Sequence, residues 1–369
     1  MTDSAEPTPS PATVQATVVL RRRGSDSPPV GLRRRITAAE LGEKYGAHPD
    51  DVAAVRRLLA DRGAEVLEEH GSSRRLRVQG TADALAGLED DDRVAAVLGL
   101  DEGPLARPRA IIADPTATKV SYTPLQLADA YGMPDGDGTG QTIAIVELGG
   151  GFAQDDLDHY FSGLGLKSPT VRAVGVDGAK NQPGKDPQGA DVEVLLDIEV
   201  VGAIAPRAEI VVYFAPNSDA GFVDAISTAA EADPTPAAIS ISWGQSEDGW
   251  TAQARTALDS VFADAVTLGV TVTVAAGDNG SADGSADGAK HADFPASSPH
   301  VLACGGTSLQ AADLAIRGEV AWNDGATGGA GGGGVSSIFA VPAWQIGLSV
   351  AKDGQTGPLL MRGVPDVCG

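Results

Sequence analysis

Residues 189–204 read GADVEVLLDIEVVGAI, and the nearly all-round apolar character of this stretch decides how the rest of the chain must be arranged. Val192, Val194, Leu195, Leu196, Ile198, Val200 and Val201 leave no wide polar stripe, which is the pattern of a buried helix. Glu193 and Asp197 stand four residues apart, so they share one face, one turn above the other, while Glu199 points elsewhere. Two like charges in a dry site cannot both ionise cheaply. One carboxyl is therefore expected to keep its proton to unusually high pH, which is how a general base and its partner are made.

A buried helix needs sheet around it, and the flanking sequence supplies it. From Gln141 onward, near-continuous apolar strands at 142–148, 170–176, 209–214, 237–243, 270–275 and 301–304 alternate with helices near 154–161, 190–204, 222–232 and 252–268. That alternation predicts a mostly parallel sheet covered on both faces, a doubly wound α/β domain, with sites at the carboxyl ends of its strands. Three such ends carry polar or aromatic residues: Glu147 in VELGGG, Trp243 in SISWG and Asp278 in VAAGDNGS.

The first hundred residues follow another pattern. After a start over residues 1–12 expected to be disordered, they read as strand 14–20, helix 37–45, a second helix opening at Pro49 with Asp50 and Asp51 in its first turn, a hairpin of 64–69 and 74–78 around Gly71, helix 81–88 and strand 94–98. The β-α-β-β-α-β order predicts a ferredoxin-like α+β unit over 13–100, without a constellation of catalytic residue types. Residues 101–124, with Pro104, Pro108, Pro115 and Pro124 and little periodicity, read as an exposed linker open to proteolysis, followed by the α/β domain over 125–369.

At 369 residues the chain is long enough for two domains. Lys+Arg 27 against Asp+Glu 50 gives a formal charge of −23, which argues against nucleic acid or an anionic membrane as partner. Arg21 to Arg23, Arg33 to Arg35, Arg74, Arg75 and Arg77 make the first part basic against an acidic remainder. Mutual attraction of the two parts and two separately solvated surfaces both fit that split. The only cysteines, Cys304 and Cys368, imply no disulfide framework; no apolar run is long enough to span a membrane, and no apolar signal core is readable at the N-terminus.

The segments IVELGGGF, ADVEVLLDIEV, IVVYFAPNSDAGF, SISWG, AAGDNGSADG, DFPASSPHVLACGGT, GGGGVSSIF and RGVPDV together resemble the sedolisins, serine-carboxyl peptidases with a subtilisin-like fold, and within them the kumamolisin branch. EKYGAHPDDVAAVRRLL and RRLRVQGTADAL resemble that branch's activation prosegment. The resemblance implies an acid-acting endopeptidase precursor, extracellular in location, acting on protein or peptide substrates, whose prosegment partners its own catalytic domain. By position it makes Glu193 the general base, Asp197 the carboxyl that orients it, and Asp278 the oxyanion-hole residue, with Glu147 and Trp243 supporting the pair. Asp278 can donate to an oxyanion only when protonated, in keeping with work in acid. The SISWG strand, with Ser242 and Gly244, resembles the edge on which a peptide pairs by β-augmentation, and Asp293 is a candidate specificity contact or a turn carboxylate before Phe294-Pro295.

Some motifs are set aside. Residues 278–287, DNGSADGSAD, imitate a calcium loop, but Ala289 stands where the bidentate Glu is needed, so no metal site is assigned. GGAGGGGVSS would ordinarily be a flexible linker; by resemblance its end is a substrate-binding loop. The family's catalytic serine lies in a Gly-Thr-Ser-Ala segment downstream of RGVPDV, and its calcium site lies further still; both fall beyond Gly369. Gly306-Thr307-Ser308 mimics the serine motif but belongs to the CGGT strand end and has no evident helix behind it, so Ser308 is not read as the nucleophile. A polypeptide of these 369 residues is thus expected to lack activity alone and to expose apolar surface. A non-catalytic peptide- or partner-binding homologue and one part of a split peptidase are the competing readings.

Overall fold

The computed structural model describes residues 12–24, 35–101, 103–109, 121–186, 189–313, 315–325, 328–352 and 355–369. The disordered start expected over 1–12 and most of the linker at 110–120 lie outside the described residues, apart from Ala12. The chain divides into two compact units, the first including the described residues 12–24 and 38–101 and the second residues 35–37 and those from 103 onward.

In the first unit, strands Thr13–Leu20, Glu65–His70, Arg75–Thr81 and Val94–Leu98 form an antiparallel sheet in which Arg75–Thr81 and Val94–Leu98 flank Thr13–Leu20 and Glu65–His70 is the outer neighbour of Arg75–Thr81. That is the ferredoxin-like order. Helices Ala38–Tyr45 and Pro49–Asp61 precede the hairpin, and the His48 ring nitrogen caps the second by accepting from the Asp50 N–H at 3.2 Å. Val18, Leu20, Val55, Leu59, Leu76, Val78 and Leu85 close one core.

The second unit is built on seven parallel strands in the order Val367–Cys368, Leu302–Gly305, Thr271–Ala275, Ala238–Ile241, Thr142–Glu147, Glu209–Phe214 and Thr170–Gly175. Helices Gln154–Gly163, Ala190–Ile204, Asp219–Ala230 and Ala252–Leu268 connect them, as the alternation predicts. Two departures bear on the site. The strand read as 237–243 is broken at Ser242: Ala238–Ile241 stays in the parallel sheet, whereas Trp243–Ser246 leaves it and becomes the middle strand of a three-stranded antiparallel sheet between Asp293–Phe294 and Arg107–Pro108. Residues 105–109 are not an exposed linker either. Ala106 and Arg109 are buried against the α/β unit.

The helix of residues 190–204 is also less enclosed than its composition suggests. Val194 and Ile198 are fully buried in a cluster with Phe161, Ile210, Val212 and Phe214, but Leu196 and Val200, one turn apart, are exposed on the outer face. The helix covers one side of the sheet, so only its inner arc is enclosed. Gly202 lets it approach the neighbouring helix, since a Cβ there would lie 2.6 Å from the Phe161 ring. After Gly305 the architecture turns to antiparallel hairpins, Thr307–Ala312 with Ala315–Ala321 and Gly334–Ala340 with Met361–Val364, which short polar strands did not announce in the sequence. Cys304 and Cys368 are free thiols.

Ile198→Ala is expected to lower the unfolding free energy by about 2–5 kcal/mol, because it empties a fully buried site, while Leu196→Lys on the same helix changes it by no more than about 0.5 kcal/mol. Denaturant melts of the two variants check which arc of the helix faces the core.

Candidate active site

Parallel strands end where their connecting helices begin, and that rim gathers the acidic side chains. Glu147 is the last residue of strand Thr142–Glu147 and is fully buried. Glu193, in the first turn of helix Ala190–Ile204, is 2% exposed, and Asp197 follows one turn later on the same face. The charges of Asp197 and Glu193 both bear on Glu147, so the three carboxyls form one electrostatic group. Two donors hold it. The Trp243 indole N–H donates to Glu147 Oε2 at 2.8 Å, and the Ser242 hydroxyl lies 2.8 and 2.9 Å from the two oxygens of Asp197.

Burial is the main cause of the acid–base behaviour here. It pushes Glu147 well above the ordinary carboxyl range, with the negative charge of Asp197 adding to the effect and the Trp243 bond opposing it. Asp197 is raised to about 6, again by burial, against the Ser242 hydrogen bond. Glu199, on another face, is raised to about 7 by burial and by Asp156, so it does not join the cluster.

Asp278 follows strand Thr271–Ala275 and is half-buried. Burial raises its carboxyl to about 6, the like charge of Asp283 adds to this, and the Arg109 guanidinium opposes it. A carboxyl with that value is largely protonated in mild acid and can then donate a hydrogen bond. Arg109 in turn feels Asp283, Asp278 and Glu193, which places all of them round one cation.

That cation arrives on a strand. Arg107 and Pro108 pair antiparallel with Gly244 and Trp243. Upstream, Asn217 receives the segment: its Oδ1 accepts from the Leu105 and Ala106 N–H groups at 2.9 and 2.8 Å, and its Nδ2 donates to the Ala106 carbonyl at 2.7 Å. The Arg109 guanidinium then enters a site between Asp293, with which it is ion-paired, and Asp283, 3.4 Å away. Gly244 is required because a Cβ at that position would collide with the Asp293 carboxylate.

The structure therefore brings Glu147, Glu193, Asp197, Trp243 and Ser242 together, and sets Asp278, Asp293 and Gly244 round the docked segment. Ser242 turns its side chain to Asp197, and the backbone pairing is made by Trp243 and Gly244. Asp293 has a fully buried side chain on an ion pair, so it is more than a turn carboxylate. Ser308 sits in the hairpin strand Thr307–Ala312 opposite Val320, and the chain continues from it as strand and not as helix. The acidic loop 278–287 does not converge as a calcium loop would: Asp278 and Asp283 face Arg109, and Asp287 accepts from His291. Among the described residues no group of three or more His, Cys, Asp or Glu side chains could hold a metal ion. Sequence reading missed Asn217, Asp283 and Arg109. Asn217 stood three residues beyond the strand Glu209–Phe214, where a polar side chain at a parallel-strand end is a usable signal; the other two carried none.

Groups whose folded pKa is raised stabilise the fold fully below their unfolded value and lose that contribution as pH rises through the folded one. Asp197 and Asp278, raised by burial to about 6, therefore each contribute more stability at about pH 4 than at about pH 7. In Asp197→Asn the neutral amide cannot ionise, and urea midpoints measured at about pH 4 and 7 are expected to fall less with pH than in the parent.

Residues 177–337 match the subtilase family. The chain is 44% identical to kumamolisin from Bacillus sp. (strain MN-32), over 96% of this chain and 73% of that protein. It is 28% identical to sedolisin from Pseudomonas sp. (strain 101), over 72% of this chain and 49% of that one. The solved structure of Pseudomonas sedolisin, a serine-carboxyl proteinase complexed with two molecules of pseudo-iodotyrostatin, superposes with a TM-score of 0.59 at 27% identity, covering 68% of this chain and 71% of the other. An α/β sheet of this order, a carboxyl cluster at its strand ends and identity of this extent have one source: the chain belongs to the sedolisin family of serine-carboxyl peptidases.

Proposed function

We propose that the chain is the precursor of an acid-acting serine-carboxyl endopeptidase, with residues 13–100 as activation prosegment and 101–124 as a connecting segment cut on activation. The observation that carries this reading is the course of residues 105–109. They run antiparallel to Trp243–Gly244 as a peptide substrate would, and they deliver Arg109 beside Glu193 and Asp278.

The chemistry follows from the geometry. A serine hydroxyl, which the family places downstream of the RGVPDV stretch, attacks the scissile carbonyl while Glu193 takes its proton; Asp197, fixed by Ser242, orients and tunes Glu193. The negative oxygen of the tetrahedral intermediate receives a hydrogen bond from protonated Asp278, and Glu193 returns its proton to the departing amine. Asp278 is a donor only below about 6, which sets acid as the working range. Proteins or peptides outside the cell are the substrates in this reading.

In the peptidase carrying that serine, Glu193→Gln is expected to lower kcat at about pH 4 by roughly 10²–10⁴-fold and Asp278→Asn by about 10²–10³-fold, while Ser308→Ala leaves it unchanged. Undiminished activity in Glu193→Gln, or activity lost in Ser308→Ala, would overturn the assignment.

A further inference from the structure

Residues 328–334 read GGAGGGG, a composition that ordinarily gives a flexible linker, yet the run lies bonded along the residues that carry Asp278. The Ala330 N–H donates to the Asp278 carbonyl at 3.0 Å, and the Ala330 carbonyl accepts from the Gly280 N–H at 2.9 Å. Together they make a parallel bridge centred on Asn279. Further along the run, the Gly332 N–H donates to the Gly277 carbonyl at 2.6 Å. The backbone on both sides of Asp278 is thus taken up by the glycine run.

These bonds bring the two backbones closer than a side chain allows. A Cβ at Gly332 would collide with the Ala276 carbonyl oxygen and lie 2.8 Å from the Gly277 Cα. The Gly332 backbone is not left-handed, so the close approach, and not its conformation, calls for glycine. Gly334 differs: a Cβ there would meet the Ala292 nitrogen at 3.7 Å, an ordinary contact. The run is also held at both ends, so it cannot swing aside to relieve a clash. On one side the Gly331 N–H donates to the Trp322 carbonyl at 2.9 Å. On the other, Glu247, 1% exposed, accepts from the Ser336 hydroxyl at 2.8 Å through Oε2, and from the Ser337 N–H at 2.5 Å and hydroxyl at 3.0 Å through Oε1.

We propose that Gly332 is a positioning residue for the oxyanion-hole carboxyl: the anchored glycine run, by its close approach, holds residues 276–280 so that Asp278 keeps its half-buried place. This rests on the reading of Asp278 as the oxyanion donor, and the test separates the two ideas. Carboxyl titrations are followed by NMR on the full chain carrying isotope-labelled aspartate, with the two signals assigned through Asp278→Asn and Asp197→Asn.

In the parent both carboxyls are expected to titrate at about 6. Burial is what raises Asp278, so Gly332→Ala, by displacing residues 276–280, should bring it from about 6 toward the ordinary value of about 4 and leave Asp197 in place. Gly334→Ala should move neither. Asp278 unmoved in Gly332→Ala, moved equally in Gly334→Ala, or accompanied in its fall by Asp197 overturns the positioning role. A parent Asp278 that titrates near the ordinary value overturns the reading of it as a donor in mild acid, and the proposal with it. Should Gly332→Ala fail to melt cooperatively, Glu247→Gln decides, since an amide keeps only one of the two oxygens that hold Ser336 and Ser337. A lowered Asp278 beside an unchanged Asp197 in that variant supports the role, and an unchanged Asp278 overturns it.

Discussion

The cost of placing Glu147, Glu193 and Asp197 together out of water governs much of the second unit. Isolated buried carboxylates are not tolerated; they take up protons or find donors. Here both happen, and both donors come from one dipeptide. Ser242 and Trp243 are consecutive, and their side chains reach Asp197 and Glu147 respectively. In a regular strand neighbouring side chains point to opposite faces. The break between Ala238–Ile241 and Trp243–Ser246 is what lets the two converge on one cluster.

The same break creates the edge on which residues 107–108 pair. Once Trp243–Ser246 has left the parallel sheet, its backbone groups are free of the strands beside it, and Asp293–Phe294 on one side and Arg107–Pro108 on the other take them up. Support of the carboxyl cluster and display of the docking strand are thus one conformational event. A substitution that straightened the chain at Ser242 would lose both together, and for that reason the two cannot be tuned independently.

Legibility in the sequence followed the strength of local pattern. The all-round apolar run of 190–204 and the four-residue spacing of Glu193 and Asp197 gave the helix and its carboxyl face, and the alternation of strands with helices gave the parallel sheet. The arc of the helix that stays exposed was not readable, because Leu196 and Val200 are as apolar as Val194 and Ile198; only packing distinguishes them. The kink at Ser242 was hidden for a similar reason, since SISWG is uniformly compatible with an extended strand. Residues 104–109 carry no period and two prolines near each other, so composition reads them as solvent-exposed. Their order comes from long-range partners, Asn217 and the strand Trp243–Ser246, more than a hundred residues away.

Proton uptake links the two halves of the proposed mechanism. Asp278 and Asp283 face the same guanidinium, and burial raises both carboxyls above their ordinary range. As pH falls through about 6, Asp278 gains the proton that makes it a hydrogen-bond donor for an oxyanion. That proton also removes one of the negative charges opposite Arg109, and protonation of Asp283 removes a second. In the proposed reading, acid thus readies Asp278 as a donor and lessens the negative charge facing Arg109, whose direct ion pair is with Asp293.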